Sequence, residues 1–371
     1  MKLTIERGAL LKALAHVQSV VERRNTIPIL SNVKLEADKG RLLLTATDMD
    51  LEVVESVAVE TAAPGATSVP AHTLYDIVRK LPDGAEVTLE SDGAEKLVMR
   101  CGRSRFTLPC LPVEDFPVMS DVGLDHQFRL PPHELRGLID RTRFAISTEE
   151  TRYYLNGIYL HEAKRHGTPV LRAVATDGHR LASVEVPLPD GGAGMPGVIL
   201  PRKTVAEVRK LIDEAADEVV VSLAETKIRF AFNDAVLTSK LIDGTFPDYE
   251  KVIPTGNDKQ LNVDTKLFAD AVDRVSAISS EKSRAVKLAV ADGTLVLSAS
   301  SPEYGSATEE LEVDYAGTAL EIGFNSRYLL DIAQQIEGTS ARLLMADASS
   351  PTLLREVEDE SALYVLMPMR V

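Results

Sequence analysis

Apolar positions recur at helical spacing in six short stretches, two in each third of the 371-residue chain. Leu10, Leu14, Val17 and Val21 fall on one helical face just after Lys2-Leu3-Thr4-Ile5, which predicts a short strand and then an amphipathic helix. The second third opens alike: Gln127-Phe128-Arg129-Leu130, a Pro131-Pro132 helix start, then Leu135, Leu138 and Ile139. The last third opens on Gln260-Leu261-Asn262-Val263, with Asp264 placed to cap a helix carrying Phe268, Ala271, Val272 and Val275. A second helix is predicted at the centre of each third. Its apolar faces are Leu74, Ile77, Val78 and Leu81; Val205, Val208, Leu211 and Ile212; and Leu329, Ile332, Ala333 and Ile336. Each hands over to a predicted strand, at residues 86–90, 218–223 and 341–345.

Turn chemistry repeats with the same long period. Val174-Ala-Thr-Asp-Gly-His-Arg-Leu181 reads as a strand, a Thr-Asp-Gly turn and a returning strand. Leu44-Thr-Ala-Thr-Asp48 repeats its Ala-Thr-Asp at an offset of 129 residues, and Leu297-Ser-Ala-Ser-Ser301 is a weaker third copy. The first two thirds also close alike, on Asp115-Phe-Pro117 and on Thr245-Phe-Pro-Asp248. A period this long means repeated domains rather than a short solenoid unit. Turn-rich links at 123–126 and 254–259 set boundaries near 125 and 255, giving domains 1–125, 126–255 and 256–371. The expected fold class is α+β: three similar domains in tandem, each with two helices on one face of antiparallel sheets.

Composition narrows the class without naming a function. Apolar content of 44% with 26% charged residues suits a globular chain with a sizeable core, and no apolar run approaches the ~20 residues of a membrane span. The N-terminus lacks a signal-peptide pattern and only Cys101 and Cys110 occur, so cytoplasmic residence is expected and no disulfide framework is implied. A net charge of −15 argues against nucleic acid if taken alone. Its distribution argues otherwise. Lys12, Arg23, Arg24, Arg79, Lys80, Arg136, Arg141, Arg143, Arg202, Lys203, Arg209 and Lys210 lie in or beside predicted helices of the first two thirds, while strands and loops carry the acids. A helix-lined surface can then be positive within an acidic body, as a phosphate backbone read without base contacts requires.

Candidate chemistry is sparse. His161 and His166 have no supporting Cys or carboxylate cluster, so an exposed turn is expected there and no metal site. Gly191-Gly-Ala-Gly194 lacks the Gly-Lys-Ser/Thr ending of a phosphate loop and is expected to be a flexible tip. Asp177 and His179 are half of an acid/base pair without a nucleophile motif, which leaves a hydrolase as the rival reading. Asp48 repeats the Asp without the His and so favours a turn role. The tail, Leu363 to Val371, stays apolar to its end, and Met367 and Met369 suit a groove for varied apolar peptides. No cofactor is implied.

The chain resembles the bacterial DNA polymerase III beta subunit, the sliding-clamp family, over essentially its whole length. The resemblance is carried by Asn25-Thr-Ile-Pro-Ile-Leu30, Gly102-Arg-Ser-Arg-Phe106, Thr151-Arg-Tyr-Tyr-Leu-Asn-Gly157, Ala175-Thr-Asp-Gly-His-Arg-Leu-Ala182, Asp243-Gly-Thr-Phe-Pro-Asp-Tyr249 and Met367-Pro-Met-Arg370. It implies a non-catalytic homodimer, a closed ring of six domains that encircles duplex DNA without sequence preference and tethers the replicative polymerase. By resemblance a peptide pocket comprises Leu155, Thr176, Gly178, His179, Arg180, Leu181, Pro247, Val252, Val365 and Met367. A second part of the groove comprises Arg152, Asn325, Tyr328, Pro368, Met369 and Arg370. There the polymerase alpha subunit, the clamp loader and repair proteins are expected to dock a short apolar motif, with Leu and Met as floor and His179 and Arg180 at the rim. DNA contacts are expected at Arg24, Tyr153 and Tyr154 by family match, at Arg202 and Lys203 nearby, and at Lys12, Arg79, Lys80, Arg209 and Lys210 from charge alone. At the dimer interface, Phe106 and Leu108 would meet Ile278, and Arg103 and Arg105 would pair with acids such as Glu303. The 190–197 and 348–352 loops depart from the family pattern. A monomeric DNA-binding protein is the third reading.

Overall fold

The structure, a computed structural model, describes residues 1–91, 95–119, 123–279 and 284–371. Among these, six α-helices form: α1 (Arg7–Gln18), α2 (Ala71–Val78), α3 (Pro132–Asp140), α4 (Arg202–Ile212), α5 (Thr265–Ser276) and α6 (Ser326–Ala333). Each apolar stripe turns inward; Leu10, Leu14 and Val17 of α1 and Phe268, Ala271 and Val272 of α5 are buried. Asp264 caps α5 by accepting from Leu267 N at 2.8 Å, and the Asn325 side chain caps α6.

The chain forms two compact units. One holds residues 1–135, 189–196 and 203–241, with two antiparallel sheets. Its five-stranded sheet runs Glu60–Ala63, Lys2–Glu6, Glu86–Ser91, Lys96–Cys101, Ser104–Pro109. Its eight-stranded sheet runs His126–Leu130, Val219–Leu223, Lys227–Ala231, Ala235–Lys240, Leu51–Ala58, Arg41–Thr47, Asn32–Asp38, Gly65–Pro70. The other unit holds residues 136–188, 197–202 and 242–371. Its nine-stranded sheet runs Val198–Pro201, Gly157–Arg165, Thr168–Thr176, Arg180–Pro187, Ala362–Leu366, Thr352–Glu356, Ser340–Met345, Lys259–Asp264, Asp314–Tyr315. The four-stranded sheet is Gly305–Glu312, Thr294–Ser301, Ala285–Ala291, Leu320–Asn325.

Both large sheets run across the sequence repeats. Leu237 pairs with Val53, and Leu181 pairs with Val365, so the central third gives half a sheet to each unit. Continuous ladders leave no unpaired edge at either seam.

The repeated Ala-Thr-Asp makes the same turn twice. Asp48 Oδ1 accepts from the amides of Asp50 and Leu51 at 2.9 and 2.7 Å; Asp177 Oδ1 accepts from those of His179 and Arg180 at 2.9 and 3.0 Å. In the weaker copy, Ser301 Oγ accepts from Glu303 N at 3.3 Å. Two expectations are corrected. The glycine stretch is no free tip: a Cβ on Gly191 would lie 2.3 Å from Gln127 O, and Met195 is buried. His161 lies half-buried within strand Gly157–Arg165 rather than in an exposed turn; only His166 sits at the turn.

Candidate peptide groove and nucleic-acid interface

The tip of the hairpin formed by Thr168–Thr176 and Arg180–Pro187 walls a cavity of about 280 Å³. Arg152, Leu155, Thr176, Gly178, His179, Arg180, Leu181, Pro247, Val252, Val365 and Met367 all line it, joined by Tyr154, Asp248 and Tyr249. Leu155, Leu181 and Val365 form a buried floor, while Val252 and Met367 stay 52% and 43% exposed at the mouth. Thr176 Oγ1 donates to Arg180 O at 2.7 Å and accepts from Gly178 N at 3.1 Å, so the turn cannot splay. Met367 N donates to His179 O at 2.9 Å and anchors the tail beside the turn.

Arg180 differs from the expected rim residue. Its side chain is only 9% exposed, paired with Asp177 and Asp331 and donating to Phe144 O at 2.7 Å. The guanidinium lies over the rings of Phe144 and Tyr328. It braces the wall from beneath. His179, stacked on Tyr328 at 6.0 Å, keeps the rim position. Gly178 adopts φ +88°, and its missing Cβ leaves room for Arg152, which donates to Asp177 O at 3.2 Å.

Of the expected second part of the groove, Asn325, Tyr328, Pro368, Met369 and Arg370 do not line this cavity. Met369 N donates to Gly323 O at 2.8 Å, so the tail runs along strand Leu320–Asn325. Met369 and Arg370 border a separate cleft of about 980 Å³ with Lys287 and Ser298. Asp248 and Tyr249 were not anticipated in the groove. Both lie in the Phe-Pro-Asp-Tyr run, where a tyrosine between apolar Pro247 and Val252 was the available signal.

The candidate DNA residues split by partner. Lys12 pairs with Glu214, Arg79 with Asp76, Arg209 with Asp213, Lys210 with Glu207, and Lys203 with both Glu22 and Asp48. Arg24, Lys80 and Arg202 are exposed and carry no ion pair among the described residues. Tyr153 is 53% exposed and stands edge-on to Tyr154, whose own ring faces the groove.

The family descriptions for the DNA polymerase III beta subunit match the chain three times: the N-terminal domain at residues 1–120, the central domain at 129–248 and the C-terminal domain at 250–370. The chain belongs to the DNA polymerase III beta subunit family, the bacterial sliding clamps. It is 58% identical to the beta sliding clamp of Caulobacter vibrioides and 40% identical to that of Escherichia coli K12, each covering 100% of both chains. A crystal structure of the C. crescentus clamp with PEG bound to a putative beta-motif tethering region matches with TM-score 0.97 at 58% identity, covering 100% of this chain and 99% of that one. A Pseudomonas aeruginosa clamp bound to griselimycin matches with TM-score 0.93 at 42% identity, covering 100% of each chain.

The clamp therefore has three tandem clamp domains and serves DNA polymerase III as a non-catalytic processivity factor, with DNA and polymerase as partners. The hydrolase reading falls. Asp177 spends both oxygens on the turn and on Arg180, and the family performs no chemistry. Among the described residues, no helix is long and apolar enough to cross a membrane.

Of the interface candidates, Arg103, Arg105 and Glu303 are exposed, while Phe106 and Ile278 are half-buried. Leu108 is already buried within its own sheet, opposite Leu97. Strands Ser104–Pro109 and Gly305–Glu312 are edges of their sheets in the clamp.

Proposed function

We propose that two copies close head to tail into a six-domain ring around duplex DNA, with domains 1–125, 126–255 and 256–371 repeated in each. The observation that carries this reading is the pair of edge strands, Ser104–Pro109 and Gly305–Glu312. Exposed Arg103 flanks the first and exposed Arg105 lies on it; exposed Glu303, Glu310 and Glu312 flank or lie on the second. An edge in solution invites a partner strand, and opposite charges select which one. A heterologous contact that closes after two copies would pair both of these edges in each chain. Phe106 and Ile278 supply apolar surface, whereas Leu108 supports the strand from below.

The groove would take short apolar motifs from the polymerase alpha subunit, the clamp loader and repair proteins. Each Leu or Phe buried there contributes ~1.5–3 kcal/mol before ordering costs, which suits micromolar, exchangeable partners. His179 and Tyr328 would extend the site toward Asn325 and the tail. Arg24, Lys80, Arg202 and Tyr153 would touch the phosphate backbone and sugars, few enough to slide. The ring would act on chromosomal DNA in the cytoplasm.

The deciding measurement is topological. Protein is loaded on nicked circular DNA with a clamp loader and ATP, and retention is followed before and after the circle is cut. Retention on the circle with release from linear ends is expected; equal retention on both forms would mean surface binding by an open chain. A solution mass of one chain, 40.3 kDa, in place of two would favour the monomeric reading.

A further inference from the structure

Behind the groove, the lining residue Tyr249 is held by two side chains that the groove itself does not expose. Its hydroxyl lies 2.9 Å from His161 Nε2 and 2.8 Å from Arg172 Nη1. His161 Nδ1 lies 2.8 Å from the Glu162 carbonyl, which can only accept. Nδ1 therefore carries the proton and Nε2 is left to accept from Tyr249. Arg172 has no acceptor atom, so it donates to the phenol oxygen and sends its other donors to Glu185, Glu250 and the Lys164 carbonyl. The chain has one direction: Arg172 to Tyr249, Tyr249 to His161, His161 to Glu162. Aromatic stacking fixes the imidazole. Tyr159 lies 4.5 Å from His161 on one side and 4.9 Å from Phe246, and Gly197 leaves room for the Tyr159 hydroxyl.

We infer that His161 is a positioning residue, whose neutral Nε2 holds Tyr249 in the groove wall, so that protonating it loosens the wall and weakens peptide binding in acid. A protonated Nε2 can no longer accept. Its new N–H and that of Arg172 would then meet at one phenol oxygen, and the Tyr249 hydroxyl proton would lose its acceptor. The surrounding charges agree. Burial foremost, and then the Arg172 charge, hold His161 below the ordinary imidazole range, against the Glu162 carbonyl and the carboxylates of Glu250 and Glu185. Burial likewise pushes the Tyr249 phenol up, with Arg172 pulling it down.

This inference rests on the peptide reading of the groove, and one experiment separates the two. Binding of a fluorescein-labelled pentapeptide carrying two leucines and a phenylalanine is followed by anisotropy on the full-length protein, from pH 7.5 down to 5.0. In the wild type, Kd is expected to rise several-fold toward pH 5.0, because an imidazole held below its ordinary range takes up its proton only at the acid end. His161→Phe keeps a ring in the stack but no acceptor; it should weaken binding about five-fold at pH 7.5 and flatten the profile. His161→Gln, whose amide oxygen can accept, should recover most of that loss and remain flat. Tyr249→Phe removes only the hydroxyl and should also be flat, which keeps the test valid if a His161 variant folds poorly. A flat wild-type profile, or a His161→Phe profile with the wild-type slope, would overturn the inference and leave the groove intact. Absence of wild-type binding at pH 7.5 would overturn the groove reading and this inference with it.

Discussion

The guanidinium of Arg180 lies 4.3 Å from the ring centre of Tyr328, joining the tip of the groove hairpin to α6. Arg180 also pairs with Asp331 on the same helix, so one side chain ties the turn to the last domain's helix. Arg180→Ala would leave Asp177 and Asp331 without their cation. With both carboxylates partly solvated, a loss of about 2–4 kcal/mol is expected in urea unfolding, together with weaker peptide binding. Arg180→Lys keeps the charge but not the fork or the stack, and should recover less than half of this. Stability of Arg180→Ala within ~0.5 kcal/mol of wild type would mean that the side chain works at the solvated rim after all.

The repeated turn contains a built-in control. Gly178 and Met49 each follow the turn aspartate, with φ of +88° and +76°, and only one of them is a glycine. A β-carbon in that region costs ~1–2 kcal/mol, partly offset by the entropy glycine adds to the unfolded chain. Met49→Gly should therefore raise stability by about 0.5–1 kcal/mol. Gly178→Ala should lower it by a similar amount and displace the tip of Arg152, whose Nη1 would lie 2.6 Å from the new Cβ. Thermal unfolding checks the opposite signs; a shift in the same direction for both would refute the strain argument.

These examples show where the sequence was legible. The three-fold repeat could be read because helix stripes and Asx turns are local, and Asp48, Asp177 and Asp264 carry their roles in adjacent residues. The two compact units could not be read so. They come from pairings such as Val53 with Leu237 and Val365 with Leu181, which span long stretches of chain and follow no local pattern. Arg180 beside His179 looked like a rim residue because strand alternation does not reveal that Asp331 waits on α6. The 348–352 loop, left unassigned, is organised by Asp347. Its carboxylate accepts from the backbone and side chains of Ser349 and Ser350, which lower its pKa to about 2. Cations drawn together by composition separate once their partners are seen.

His16 should make stability depend on pH in the opposite sense to His161. Its Nδ1 and Nε2 each lie 3.0 Å from a carboxylate, Glu55 and Glu214, and Lys12 also pairs with Glu214. Burial works against the charged imidazole, yet Glu55 and then Glu214 outweigh it and raise the pKa. A raised folded pKa gives stability that is complete below the unfolded value of ~6.5 and is lost as pH rises through the folded one. The unfolding free-energy difference between wild type and His16→Gln should accordingly be largest near pH 6 and shrink toward pH 8.5. A difference that grows with pH would reverse the assignment.

Pairing also sorts the basic residues into two experimental classes. Arg24 and Lys80 are exposed and without an ion pair among the described residues, so a phosphate contact costs them little. Each should add ~0.9 to the slope of log affinity for a linear duplex against log salt, and Arg24→Ala or Lys80→Ala should remove that increment. Lys203 is already bound to Glu22, Asp48 and the Val20 carbonyl. Lys203→Ala should leave the salt slope nearly unchanged while lowering stability by about 1–2 kcal/mol, because two carboxylates lose their cation in a partly solvated site. Equilibrium binding to a short linear duplex across a KCl series, paired with thermal unfolding, measures both quantities on the same samples. If Lys203→Ala shifts the slope as Arg24→Ala does without loss of stability, then intramolecular pairing does not decide which cations face the phosphates, and the charge pattern of the helices alone does.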